Sequence, residues 1–370
     1  MPRGLYRRWM HDWETRLTTR DTNRVVRPFE LGLEWTRGWP LANGHPPSAG
    51  PGQEEFLREL NRRIVAESDV FFSYQTPRDF RLERRIAELH PTGNGQPRIA
   101  SRERREATFL RFTSPVSTPH AENNLVCARW FPARGRRAVV VLPQWNSDAE
   151  GHNGLCRILN FAGVAALRLS LPYHDVRKPP ETERADYAVS SNVARTIDAA
   201  RQAVIDVRCC LDWLERQNYD WLGVVGTSLG SCYAFLATAH EPRLRVNVFN
   251  HASLHFADVI WSGQSTRHIR AAIPADLTLD RLRSLWSAIS PSSYFDKFAE
   301  QSAKKSLIVY ATHDLTFLPE VSRAIIAEFR RRRLDLSVRV LPCGHYTTGE
   351  APFKYLDAYY IAAFLDHAFA

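Results

Sequence analysis

Apolar positions along this chain follow two periods. Short, largely apolar runs that predict strands recur at residues 137–142 (RAVVVL), 164–171 (VAALRLSL), 222–225 (LGVV), 245–249 (RVNVF), 306–311 (SLIVYA) and 336–341 (LSVRVL). The runs at 137–142 and 222–225 have the length and density of a strand buried on both faces. Two stretches upstream, 108–116 and 125–131, alternate or run apolar and predict strands as well. Between the runs the period lengthens. Val193, Ile197, Ala200, Val204, Val207, Leu211 and Leu214 are spaced by alternating fours and threes, one face of a long helix. Further helices are predicted over about 150–161, 231–239, 318–333 and 356–369. Strands alternating with helices imply an α/β fold, a mostly parallel doubly wound sheet with right-handed crossovers. Ligands of such sheets sit at the carboxyl ends of the strands. Residues 252–303 break the rhythm, with helical stretches and no clear strand. They leave one strand's carboxyl end and return to the next, so they are expected to overhang the site as a cap.

The pattern divides the chain into an extension, residues 1–105, and a main domain, 106–370. The extension reads as mostly helical and irregular. Trp9, Trp13, Trp35 and Trp39 fall in its first forty residues, a density that predicts docking onto the main domain. Residues 43–52 (NGHPPSAGPG) and 91–97 (PTGNGQP) are breaker clusters. Phe56, Leu57, Leu60 and Ile64 make one stripe of an amphipathic helix, and an arginine-rich stretch, 98–105, leads into the sheet.

Composition narrows the picture in three ways. With 370 residues and 44% apolar positions the chain can bury a large core. Its formal charge of +9 favours anionic partners. The charge is dispersed and no nucleic-acid module accompanies it, so a solvated basic surface is expected rather than nucleic-acid binding. A basic, amphipathic beginning leaves peripheral membrane contact open. No apolar run approaches the ~18 residues of a spanning helix, and the first twenty residues lack the apolar core of a secretory signal. Six scattered cysteines without C-x-x-C spacing predict reduced, buried thiols and a cytoplasmic protein.

The chemistry is concentrated in residues 222–230, LGVVGTSLG. A buried strand runs into Gly226-Thr227-Ser228-Leu229-Gly230 and then into the helix-forming stretch SCYAFLATA. Strand, tight turn with a serine between small residues, and helix are the context of a nucleophile elbow. Small neighbours let strand and helix approach closely, and the helix start directs backbone N–H groups toward the serine. Asp314 follows the SLIVYA strand in HDLTFLP, and His345 follows the last strand in PCGHY, so both share the rim of Ser228. This run of elbow, aspartate loop and Gly-His loop, in the order Ser…Asp…His, resembles the α/β-hydrolase superfamily of serine esterases, lipases and acyl hydrolases. The resemblance covers roughly 107–370 without the cap.

The resemblance implies that Ser228 is a nucleophile, His345 its base and acid, and Asp314 the group that orients His345. It places one oxyanion donor at the N–H of Leu229 and a second in the loop after RAVVVL, at Trp145 with Gln144 as the other candidate. Many superfamily members carry H-G-x there, which this chain lacks. Asp314 also fits a helix cap, Asp258 is the rival acid, and His345 also fits a structural loop residue. Tyr173 and His174, at a strand end facing the site, and Gln144 are candidate substrate contacts. His251 and His255 have a metal spacing but no third ligand, so no metal and no cofactor are expected. Trp261, Trp286, Phe295 and Phe298 of the cap could line an acyl pocket or form the cap's own core. The expected activity is cleavage of a small-molecule ester, or of a thioester or amide, by a serine hydrolase. The alternative is a silent scaffold of the same fold that binds a partner or an anionic membrane through its basic, Trp-rich beginning.

Overall fold

The computed structural model describes residues 3–42, 46–47, 50, 52–86, 106–301 and 304–369. The breaker cluster at 91–97 and the arginine stretch at 98–105 lie outside the described residues. Among them nine strands form one sheet: β1 (Arg81–Ile86), β2 (Glu106–Thr113), β3 (Leu125–Phe131), β4 (Arg137–Leu142), β5 (Ala165–Leu169), β6 (Trp221–Thr227), β7 (Leu244–Asn250), β8 (Lys305–Ala311) and β9 (Leu336–Leu341). Their order is β1-β2-β3-β5-β4-β6-β7-β8-β9. From β5 to β9 the neighbours are parallel, as expected of the buried apolar runs among them; β9, at the edge, is largely part-exposed. β1, β2, β3 and β5 pair antiparallel.

Alternation along the strands sorts side chains to two cores. Ala138, Val140 and Leu142 of β4 face one layer, with the helix Val193–Arg216 and the cap; Val139 and Val141 face the other. That second layer holds the helix Asn153–Phe161, the C-terminal helix Phe353–Ala368, and Met10 of the first helix, Arg3–Thr19.

The extension differs from the sequence reading in one element. Residues 81–86, RLERRI, were expected to be helical or irregular and instead form β1 at the sheet edge. Its charges suit an edge, where one side of the ladder is open to water. The amphipathic helix Gly52–Ala66 buries Leu57, Leu60 and Ile64, and the Ala288 N–H of the cap donates to Asn61 Oδ1 at 3.0 Å. Residues 30–31 bond to 191–194 at the head of the long helix, and the Trp39 indole donates to Asp198 at 2.7 Å. Within the cap, 252–301, no described residue is in a strand. Phe295 and Phe298 pack on Phe235 and Phe329, and Trp286 is fully buried against Phe256, so these aromatics are interior packing.

β6 delivers Ser228 with φ 57° and ψ −118°, a strained conformation for a side-chain-bearing residue. The strain persists because the elbow is closed on both sides. A Cβ at Gly226 would lie 2.2 Å from the Gly230 carbonyl oxygen, and one at Gly230 would lie 2.2 Å from that of Leu142. Strand, turn and helix therefore meet backbone to backbone. Gly230→Ala is expected to destabilise the fold by about 1–3 kcal/mol through overpacking against backbone that cannot yield. Gly154→Ala, where nothing lies within 4 Å, should be neutral or mildly stabilising. Thermal melts of the two variants beside the parent check the contrast.

Candidate active site

The carboxyl ends of β6, β7, β8 and β9 bring four side chains together. Ser228 Oγ lies 3.1 Å from His345 Nε2, and His345 Nδ1 lies 3.0 Å from Asp314 Oδ2. His251, the residue after β7, places its Nδ1 2.9 Å from the same oxygen, its ring 4.5 Å from that of His345. Asp314 Oδ1 accepts the N–H groups of Thr316 and Phe317, each at 2.7 Å. Phe317 in turn stacks on His345, 5.3 Å between centroids and 3° between planes. Serine, imidazole and carboxylate are thus aligned in a relay that can pass a proton from the hydroxyl to the ring and stabilise the resulting imidazolium.

His251 was set aside in the sequence with His255, and the two have separate fates. His255 bonds Ser292, while His251 joins Asp314. The signal was positional: His251 directly follows an apolar strand, as Ser228 does. His251, Asp314 and His345 also form a group whose donor atoms lie within 4.8 Å of one another, close enough to hold an ion. The hydrogen bonds to Asp314 account for that closeness.

The loop carrying His345 is held from the other end of the chain. Glu14, fully buried on the helix Arg3–Thr19, accepts the N–H groups of Tyr346 and Thr347 at 2.9 Å each and the Thr347 hydroxyl at 3.0 Å. Gly344 is small because Glu14 is there: a Cβ would meet its carboxylate at 2.3 Å. The Tyr6 hydroxyl donates to the Pro342 carbonyl, and Arg24 reaches the Tyr346 hydroxyl at 3.2 Å. Nothing in the sequence marked Glu14, one acid in an amphipathic helix.

The oxyanion candidates lie on either side of the elbow. Leu229 opens the helix Leu229–Ala239, where the first N–H groups have no partner within the helix. The loop after β4 presses on that helix start at Leu142 and Pro143. Among the described residues the N–H groups of Leu229 and Trp145 have no hydrogen-bond acceptor. The Trp145 side chain is fixed, donating to the Ala185 carbonyl at 2.9 Å and stacking on His268. Gln144 lines a cavity of about 690 Å³ that also touches Ser228, His251 and His345. His152, in the left-handed region at φ 67°, bonds Thr227 Oγ1 at 2.9 Å in the same cavity, and was not expected there.

Tyr173 and His174 do not face the site. Both are buried at 1% exposure, and neither lines a cavity at Ser228. The reason is strand order: β4 stands between β5 and β6, so the end of β5 is two strands, roughly 9–10 Å, from the elbow. The chain there turns inward. Asn123 Oδ1 accepts the Tyr173 N–H, His174 Nδ1 bonds the Pro172 carbonyl, and Arg177 pairs with Asp206 at 2.8 Å, both fully buried. Asp258, the rival acid, is paired with Arg283 at 2.7 Å, whereas His345 bonds Asp314. His313 lies at the margin, its ring edge-on to Tyr6.

Burial lowers the affinity of both site histidines for a proton, and their neighbours then separate them. For His345, burial is outweighed by the Asp314 charge and hydrogen bond, with Glu14 adding to them, so its pKa is raised above the ordinary 6.5. For His251 burial prevails, reinforced by His345, and its pKa is lowered despite Asp314. Burial pushes Asp314 up, but the two histidines more than reverse this and hold it well below the carboxylate range. In a proton NMR titration His345 should therefore protonate above pH 6.5 and His251 below it. Glu14→Gln, which removes a negative charge beside His345, should move the His345 midpoint down and leave His251 the lower of the two.

No family model matches the chain. Among solved structures it is similar to acetyl xylan esterase 1 from Thermoanaerobacterium sp. JW/SL YS485, at 15% identity and a TM-score of 0.55, covering 92% of this chain and 100% of that one. An acetyl xylan esterase from Paenibacillus sp. R4 matches at 12% identity and a TM-score of 0.53, over 87% of this chain and 98% of that one. The Pyrococcus horikoshii acylaminoacyl peptidase matches at 8% identity and a TM-score of 0.55 over 70% of this chain, spanning only 41% of the peptidase. At such identities the likeness is one of backbone path. Together with the sheet order and the elbow, it establishes that the chain has the α/β-hydrolase fold expected from its motifs.

Proposed function

We propose that the protein is a serine hydrolase that cleaves a small-molecule carboxylic ester through an acyl-enzyme on Ser228. The observation that carries this reading is the continuous relay from Ser228 Oγ through His345 to a buried, multiply hydrogen-bonded Asp314. In the first half-reaction His345 Nε2 takes the hydroxyl proton as Oγ bonds to the acyl carbon, and the N–H groups of Leu229 and Trp145 receive the oxyanion. His345 then gives that proton to the leaving oxygen as the carbon–oxygen bond breaks. Water repeats the sequence to release the acid and restore Ser228. Thioester and amide carbonyls are open to the same attack, differing in leaving group. Nucleophile, base and acid all come from the chain, so the reaction requires no cofactor. The solved structures similar to it are named as esterases and a peptidase, in keeping with a hydrolase. Its six cysteines are buried and free, which suits a reducing, cytoplasmic setting, and no helix of the described residues is long and apolar enough to cross a membrane.

Labelling with a fluorophosphonate tests the reading directly. The parent should be labelled, and Ser228→Ala and His345→Ala should not, with hydrolysis reduced on the order of 10³-fold or more in both. Absence of label in a folded parent would refute the activated serine.

The acid limb of kcat/KM is the second test. A base must be neutral to accept the serine proton, so activity falls as pH falls through the His345 pKa. That pKa is raised, and the midpoint should lie above pH 6.5.

A further inference from the structure

Two cavities meet at Ser228, and they are unequal. The larger, about 690 Å³, is bounded by Gln144, His152, His251, His345, Lys354 and Tyr355 among others. The smaller, about 40 Å³, lies between the elbow helix and the cap, lined by Leu229, Cys232, Phe256, Ile260 and Phe317. On a scale where one water takes about 10–15 Å³, the smaller holds roughly three or four heavy atoms.

Which end of an ester enters which cavity follows from where the proton must go. His345 protonates the leaving oxygen, so the alcohol has to lie on the His345 side. His345 borders the larger cavity and not the smaller one. With the carbonyl oxygen turned toward the Leu229 N–H and the alcohol toward His345, the acyl substituent is directed into the remaining space beside Leu229 and Cys232.

The walls of that space have little room to yield. Phe256 and Ile260 are 6% and 2% exposed, Phe256 packs edge-on to the fully buried Trp286 at 5.3 Å, and Phe317 is stacked on His345. Cys232 is held against the Ile289 carbonyl at 3.3 Å. Enlarging the space means repacking the cap core, a cost that each added methylene would have to meet.

Building on the serine-hydrolase reading, we propose that this enzyme selects short straight acyl groups, acetyl to butyryl, while accepting bulky alcohols. In chemical balance, Oγ–acyl bond formation accompanies loss of the alcohol, which departs carrying the proton first taken from Ser228. Water then takes the short acid away.

The test is a pair of isomers. Octyl acetate and ethyl octanoate contain the same atoms and differ only in which side of the ester bears the long chain. The full-length protein is expected to hydrolyse octyl acetate at least ~100-fold faster by kcat/KM, on the scale of one to two poorly placed methylenes. In the p-nitrophenyl series the rate should peak between acetate and butyrate, and Ile260→Ala should shift the peak to longer chains. Equal rates for the isomers, or preference for ethyl octanoate, would overturn the proposal while a fluorophosphonate-labelled Ser228 left the hydrolase reading standing. No label and no turnover of any ester would overturn both. The wild-type series decides the matter even if Ile260→Ala fails to fold.

Discussion

The Asp314 carboxylate is the interaction on which the site depends. A charge buried at 1% exposure costs several kcal/mol unless its lone pairs are met. Here four donors meet them: two backbone N–H groups of its own loop on Oδ1, and His251 and His345 on Oδ2. Those donors come from three loops, after β7, β8 and β9. The parallel ladder is what aligns them, and it continues past the strand ends. The His251 N–H donates to the Val309 carbonyl, and the Thr312 and His313 N–H groups donate to those of Leu341 and Cys343. One carboxylate thus turns sheet register into the position of two imidazoles.

The remaining freedom of His345 lies in its own loop, and the beginning of the chain removes it. Glu14 satisfies two consecutive N–H groups, the part-buried one of Tyr346 and the buried one of Thr347, and leaving the buried one without an acceptor would cost about 1–3 kcal/mol. Tyr6 takes up a carbonyl three residues before His345, and Met10 joins the core beneath the sheet. The first helix is therefore joined to the site by polar groups and to the fold by apolar ones. Its tryptophans follow suit: Trp13 packs on Phe353 and Trp9 on Trp13, on the face turned to the C-terminal helix.

What was legible in the sequence is what repeats or is sterically extreme. β4, β6, β7 and β8 announce themselves because both faces are buried and most positions are apolar, whereas β9, at the other edge, buries only Leu341 and shows through its alternation. Ser228, Asp314 and His345 could be placed because chain order and strand ends define the rim, and the elbow glycines leave no alternative residue. β1 was hidden because an edge strand with arginine and glutamate carries no apolar run. Tyr173 and His174 were misplaced because a strand end locates a residue along the sheet axis but not across it; the order β5-β4-β6 is a fact of pairing. Glu14 and His251 act through contacts 332 and 63 residues away in sequence, which no local pattern encodes.

The two histidines on one oxygen divide the work by charge. Both rings at 4.5 Å cannot be imidazolium without strong repulsion, so protonation of one opposes that of the other. Burial opposes protonation of both, but Asp314 and, less strongly, Glu14 raise the His345 pKa, while burial and the neighbouring His345 lower that of His251, which stays a neutral donor to Asp314. A neutral donor on Oδ2 draws on the same lone pairs that His345 uses. It therefore shares that oxygen with His345, which matters for the proposed base because one paired too strongly would remain protonated and accept nothing from Ser228. The second imidazole and the distant carboxylate push in opposite directions. In the proposed reaction, that opposition bears on the pH at which His345 accepts the serine proton.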